Sequence, residues 1–423
     1  IRRHIRLNTR GGGAMAENRL ASGGASGHLR ELDGIRGIAC LLVLFDHVII
    51  SELPFEKFHG LSRLTPWLIG GVDLFFVLSG FLIGGILIDN KGATNFFRVF
   101  WLRRFARIMP VYYLLVFSFY LAVFLDRHFH IPWLDLFLLK NPMPLWSYTF
   151  FVQNFAQSLD GGTGGARWVA STWSLAIEEQ FYLLLPFLVY FLSRQTLIRL
   201  AISCVVVAIF ARGALWYLTG NDMHGYFLLP TRMDSLACGV LSAFAVRNVV
   251  VMTWLSRYRP VLDCLSIMTA VLLTGGILDL ATRLLPGLLA FQLRATDFTF
   301  RAFLFSYMIL RVFVVAKSTR YRRILSSPIL VFFGTISYAL YMYHPAINGV
   351  LYGLFYASAP TIMSMSQLLV AFLVIGLSIA VAWSSTQFFE FPIRRLVHKV
   401  RYKTEIRAIG PRTSIGSWNT DPV

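Results

Sequence analysis

Charge is scarce in this 423-residue chain: Asp, Glu, Lys and Arg make up 14% of it, against roughly 25% in an average soluble domain. With 56% hydrophobic residues and a mean hydropathy of +0.63, that shortage excludes an ordinary soluble enzyme. Cysteine is scarce as well. Cys40, Cys204, Cys238 and Cys264 all lie inside apolar runs, which gives no support to a disulfide framework or to a zinc site with short Cys spacing; no metal is expected. No long polar stretch is available to fold as a second soluble domain. A secretory signal peptide is not readable ahead of the first apolar run, and the Gly-x-Ser-x-Gly elbow of a serine hydrolase is missing.

Long apolar runs are what the chain does contain. A helix needs about 20 apolar residues to cross the hydrocarbon core. Ten segments meet that length approximately, at 34–51, 67–89, 108–126, 172–192, 197–219, 226–247, 259–280, 298–316, 329–351 and 366–389. The expected fold is an all-α polytopic transmembrane helical bundle of about ten spans. Shorter apolar pieces at 131–138, 143–157 and 284–292, the last two interrupted or flanked by Pro142, Pro144 and Pro286, are expected to lie in the interface or to re-enter. Residues 1–31 read as a disordered basic tail in which Met15 is the expected start, 32–394 as the membrane domain, and 395–423 as a basic C-terminal tail.

The charge that exists is lopsided, with 39 Lys and Arg against 21 Asp and Glu, a net +18. Most of these cations fall in the two tails and in the connections 91–107, 194–199, 247–259 and 317–323. Under the positive-inside rule that alternation places both termini in the cytoplasm. The excess therefore reads as topology, and nucleic acid is not an expected partner.

Ionisable residues inside spans are costly and mark candidate sites. Arg36 and His47 stand eleven residues apart, nearly three full turns at about 100° per residue, so they share one helix face across a rise of roughly 16 Å. A cation at one end and an imidazole deep in the bundle suit a long anionic ligand with a reactive tip. Arg104 and Arg107 lie side by side on a helix and suit phosphate, although a clamp on anionic lipid is the commoner role for such a cluster. Of the adjacent Glu178 and Glu179, Glu178 is expected to face inward with Ser174. Asp73, Arg232, Asp234 and His344 complete a set that, with His47 and Glu178, is expected in the outer half of the membrane around a polar chamber. Arg36, Arg104 and Arg107 are expected at its inner mouth.

These motifs together resemble membrane acyltransferase family 3, the integral-membrane O-acyltransferases of surface polysaccharides and related glycans. The resemblance runs from about Leu32 to Arg394. It rests on Leu32-Asp-Gly-Ile-Arg36 with His47 at an Arg-x10-His spacing, Val72-Asp-Leu-Phe-Phe-Val-Leu-Ser-Gly-Phe81, Arg104-x-x-Arg107-Ile-x-Pro110 and Thr172-Trp-Ser-Leu-x-Ile-Glu178. Arg232-x-Asp234, Ser337-Tyr-x-Leu-Tyr341-x-x-His344 and Glu390-x-Pro392-x-Arg394 complete it. It implies an enzyme of the bacterial cytoplasmic (inner) membrane. Such an enzyme takes an acyl group from cytoplasmic acyl-CoA, usually acetyl-CoA, and passes it to a hydroxyl of a glycan or lipid-linked sugar.

Carried over, His47 is the catalytic histidine, acting as general base or as acyl carrier. Glu178 or Asp46 would orient it, and Arg36, Arg104 and Arg107 would stand near the CoA phosphates or hold the pore. Asp73, Arg232, Asp234, His344 and Trp173 would line the pocket, Trp173 as a surface for sugar rings. Some family members add a C-terminal extracytoplasmic hydrolase domain; the expectation here is that none follows. The acceptor would then be handled by the membrane domain, a separate extracytoplasmic protein or a homo-oligomer. The rival readings are O-acylation of a small molecule such as a macrolide, and a non-enzymatic glycolipid transporter or flippase. The inverted repeats common in transporters are not evident between the two halves.

Overall fold

A computed structural model describes residues 29–54, 64–140, 143–162, 165–274 and 287–403. The expectations for residues 1–28, 404–423 and part of 284–292 lie outside the described residues. All regular elements that are described are helices.

The chain opens with α1 (Arg30–Phe45), which passes into a π-helical turn, Asp46–Ile50. Then follow α2 (Thr65–Asn90) and the long α3 (Phe96–Phe129). Short helical pieces at 134–138, 145–149, 153–159 and 167–169 lead into α4 (Thr172–Phe191) and α5 (Arg194–Thr219). A short turn of helix, Asp222–Tyr226, precedes α6 (Leu229–Ala245), α7 (Val249–Arg257) and α8 (Arg259–Thr274). The second half holds α9 (Gly287–Val314), α10 (Pro328–Tyr356), α11 (Met365–Ser385) and the terminal α12 (Phe391–His398).

Each of the ten apolar segments falls on one of these helices, the seventh in part. Among the described residues, five helical stretches are long and apolar enough to cross a membrane: Trp67–Asn90, Phe96–Phe129, Thr172–Phe191, Arg194–Thr219 and Met365–His398. A sixth is added if Met223–Ala245 and Val249–Arg257, bent by 101°, count as one broken span. Helices α1, α9 and α10 are also long, and they carry many of the ionisable and tyrosyl residues discussed below.

The burial pattern departs from a soluble protein's: the interior holds apolar clusters, and so does the surface. Phe117 and Leu121 on α3, Val206 and Phe210 on α5, and Phe372 and Leu373 on α11 are exposed, while Asp73, Arg232 and Asp234 are fully buried. Apolar side chains outside and paired charges inside are stable where the surrounding medium is hydrocarbon. The protein is an integral membrane protein.

Glycine sets how closely the central helices approach. A Cβ on Gly34 would strike the Leu325 carbonyl, one on Gly37 the Leu330 carbonyl, and one on Gly334 the Asp33 carbonyl. Leu330 and Gly334 belong to α10, so the backbones of α1 and α10 touch, a contact that small residues permit between membrane helices, while Leu325 ends the short helix Arg320–Leu325 that precedes α10. Gly80 and Gly239 make the same kind of seam between α2 and α6. Replacing Gly80 by Leu is expected to cost about 1–3 kcal/mol or more through overpacking. Gly376→Ala on α11, where an added methyl meets nothing, should stay within about 1 kcal/mol of the parent. Thermal unfolding in detergent micelles measures both.

Candidate active site

Two cavities lie along α1, one at each end of the Arg36 to His47 face. The first, about 120 Å³, is lined by Arg36, Arg104, Arg107 and Glu178, with Ser79, Tyr182 and Ser174. The second, about 450 Å³, is lined by Asp46, His47, Glu52, Gln157, Arg167, Trp173 and Asn348, among others. Val72 and Tyr341 line both, so the cavities abut across these two side chains. Tyr341 is held there by its hydroxyl, 2.6 Å from the Ser174 hydroxyl, and by the edge of Phe75.

The arginine cavity is built from α1, α2, α3, α4 and α10. Arg36 is tied to Asp33 one turn back on α1, at 3.1 Å. Arg104 and Arg107 come from the same face of α3, as their spacing predicts. Glu178 accepts a hydrogen bond from the Tyr182 hydroxyl at 2.9 Å, and Tyr182 in turn pairs with the Ser79 hydroxyl. Ser174 and Glu178 do share an inward face. Glu178, however, sits among the arginines and not beside His47. Six residues into α4, it has descended about 9 Å from Thr172 at 1.5 Å per residue, enough to leave the His47 end.

At that other end, His47 Nδ1 lies 2.9 Å from Nε2 of His344, with the rings roughly parallel at 23°. The group in contact with the His47 ring is thus a second imidazole, where the sequence pointed to Glu178 or Asp46. Asp46, the preceding residue, lines the same cavity. One of its carboxylate oxygens accepts from the Ser51 hydroxyl at 3.2 Å; the other is buried and has no partner among the described residues. Beyond the helix, Glu52 pairs with Arg167, and burial pushes its carboxyl up to about 7 while the guanidinium pulls the other way. Trp173 forms one wall, edge-on to Phe76 at 6.3 Å.

Asp73, Arg232 and Asp234 line neither cavity. Arg232 and Asp234 are not each other's partners either. Asp73 on α2 accepts from Arg232 at 2.7 Å and from Ser235 at 3.2 Å, with Arg301 of α9 at 3.8 Å. Asp234 on α6 is bonded by Arg212 of α5 at 2.9 Å and by the Thr299 hydroxyl of α9 at 2.6 Å. The Arg232 guanidinium also lies 4.1 Å from the centre of the Phe298 ring and 4.9 Å from that of Tyr226, close enough for cation–π attraction. These groups tie four helices together directly behind the cavities.

The family model described as an acyltransferase domain matches residues 29–386. The chain belongs to membrane acyltransferase family 3. Among curated proteins it is 28% identical over 393 residues to the peptidoglycan O-acetyltransferase OatA of Listeria monocytogenes, covering 87% of this chain and 56% of that protein. A Staphylococcus aureus (strain COL) protein provisionally named an O-acetyltransferase is 27% identical over 388 residues, 87% of this chain and 58% of its own. The Bacillus subtilis protein YrhL, provisionally named a peptidoglycan O-acetyltransferase, is 34% identical over 221 residues, half of this chain and a third of its own. The chain thus spans a little over half the length of the first two. No solved structure matches it.

For this acyltransferase-family chain, sequence reasoning passed over several residues that the structure brings to the cavities: Tyr341, Tyr182, Arg167 and Asn348. Tyr341 and Tyr182 stand inside quoted motifs, but nothing in helical spacing says that a hydroxyl faces a cavity. The paired aspartates do yield a test. Taking away one charge of a fully buried pair leaves the other stranded, at about 3–5 kcal/mol. Asp73→Asn should therefore destabilise the micelle-solubilised protein by about that much in chemical or thermal unfolding, without Asp73 touching either cavity.

Proposed function

We propose that this protein is an O-acyltransferase of a bacterial cytoplasmic membrane, moving an acetyl group from acetyl-CoA to a hydroxyl of a surface glycan or lipid-linked sugar. The observation that carries this reading is the end-to-end pair of cavities, one with three arginines and one with His47, sharing Val72 and Tyr341 as a wall. Guanidinium groups that converge on one cavity suit phosphate oxygens, and CoA is a ligand with phosphates at one end and a thioester at the other. With ten spans and both termini in the cytoplasm, the arginine cavity would open inward and the His47 cavity outward.

The second cavity has the chemistry of a hydroxyl-rich acceptor. Buried oxygens of Asp46, Gln157 and Asn348 have no hydrogen-bond partner among the described residues, and all three residues line this space. Such oxygens call for donors, which sugar hydroxyls supply. The flat apolar face of Trp173 matches the C–H face of a pyranose. The named acceptor of the Listeria relative, peptidoglycan, belongs to this class and is the first acceptor to try here.

In the reaction, an acceptor hydroxyl attacks the thioester carbon, the C–S bond breaks, and the C–O ester bond forms. His47 takes the hydroxyl proton as the bond forms and returns it to the CoA sulfur as that thiolate leaves. Arg36, Arg104 and Arg107 hold the phosphate end, so that the thioester is presented at the wall beside Tyr341.

Mass spectrometry of surface glycans from cells with and without the gene tests the whole reading. Loss of an acetyl mass is expected, and an unchanged acetylation pattern would sink it. With purified protein, His47→Ala should lower kcat by about 10²–10⁴-fold while inserting normally. Arg104→Ala and Arg107→Ala should weaken acetyl-CoA binding in a direct titration. Unchanged affinity would return those arginines to the role of a lipid clamp.

A further inference from the structure

We infer that His344 is a positioning residue, which fixes the tautomer of His47 with the hydrogen on Nδ1 and the lone pair on Nε2. The inference rests on the reading of His47 as the reacting imidazole, and it assigns His344 no contact with substrate. It follows from two distances and the inventory of hydrogens on an imidazole.

Helical side chains lean toward the N-terminal end of their helix, and His344 of α10 leans back over its own preceding turn. Its Nδ1 lies 3.0 Å from the Leu340 carbonyl oxygen. A carbonyl has no hydrogen to give, so the hydrogen in that bond is on His344 Nδ1. A neutral imidazole carries one N–H, which makes His344 Nε2 a bare acceptor. That same Nε2 is the atom 2.9 Å from His47 Nδ1. The hydrogen between the rings therefore belongs to His47, on Nδ1, and His47 Nε2 is left with its lone pair. The opposite tautomer of His344 would set a nitrogen lone pair against the Leu340 oxygen. An imidazolium there would place a full charge on a side chain that is 1% exposed, at a large desolvation cost.

The backbone geometry serves the same end. Asn348, one turn further along α10, donates to the His47 carbonyl at 3.4 Å, and the glycine seam of Gly37 and Gly334 brings α1 against α10. The backbone and the ring of His47 are thus held by two side chains of one neighbouring helix. A lone pair on Nε2 is what a base needs in order to take a hydroxyl proton.

His344→Gln and His344→Leu separate this role from packing. The Gln amide oxygen can stand where Nε2 stood and accept from His47 Nδ1, whereas Leu fills space without accepting. For the Leu protein, kcat should fall by about 10²-fold or more, within the up to about 10⁴-fold range seen when a catalytic histidine loses its tautomer partner. The donor KM should stay within about threefold of wild type. The Gln protein should recover at least about tenfold of the lost kcat. Equal losses in the Gln and Leu proteins, or a Leu protein with wild-type kcat, would overturn the assignment.

Nitrogen NMR of histidine-labelled wild-type protein gives a check that needs no variant at position 344. His47 Nε2, assigned by its disappearance in His47→Ala, should report an unprotonated ring nitrogen. A protonated Nε2 beside a bare Nδ1 would overturn the inference. Full activity in His47→Ala would instead overturn the catalytic reading of His47, whatever tautomer the spectrum shows.

Discussion

Charges that leave water must find each other, and in this bundle that requirement decides which helices are neighbours. Asp73 and Arg232 are fully buried, and an unpaired ion in hydrocarbon costs more than any single packing contact returns. Helix α2 therefore has to lie where α6 can offer Arg232 and α9 can offer Arg301. Asp234 imposes the same condition on α5 and α9 through Arg212 and Thr299. Paired charges of this kind add little net stability over a well-packed apolar core. Their effect is selectivity: helix arrangements that separate these partners are excluded.

The glycine seams act at shorter range. A pair of membrane helices gains no hydrophobic free energy by leaving lipid for each other, so close backbone packing has to supply the attraction. Gly80 and Gly239 draw α2 onto α6, at the helices that carry the ion pairs. Gly37 and Gly334 draw α1 onto α10, at the helices that carry the two histidines. Electrostatic matching thus builds a frame on one side of α2, and backbone contact sets the histidine pair on the other. Both cavities lie in the space between.

Much of this was legible in the chain before folding was considered. The Arg36 and His47 face and the Arg104 and Arg107 pair follow from the period of a helix. The cost of Asp73 and Asp234 in apolar runs follows from electrostatics. Partnership between helices was not legible. His344 lies almost three hundred positions after His47, and helical period does not say which face of α10 turns toward α1. The glycines at 37 and 334 held that information, since each marks a line of close approach, but a glycine names no partner by itself. Glu178 shows the same limit from another side. Its inward face was readable from Ser174, yet its depth placed it among the arginines, because that depth depends on how far α4 is set into the bundle.

The wall shared by the two cavities bears on why a thioester would meet a hydroxyl here and not water. Acyl transfer and hydrolysis differ only in which oxygen attacks, and water is always the more abundant nucleophile. A single open channel from the arginine end to the His47 end would admit it from both sides of a membrane, and would conduct ions as well. Val72 and Tyr341 interrupt such a channel, and Tyr341 is pinned by hydrogen bonding to Ser174 and not by packing alone. Under the proposed reaction, a bound donor that reaches this wall can compete for the Ser174 and Tyr341 hydroxyls only by replacing their mutual bond with contacts of its own.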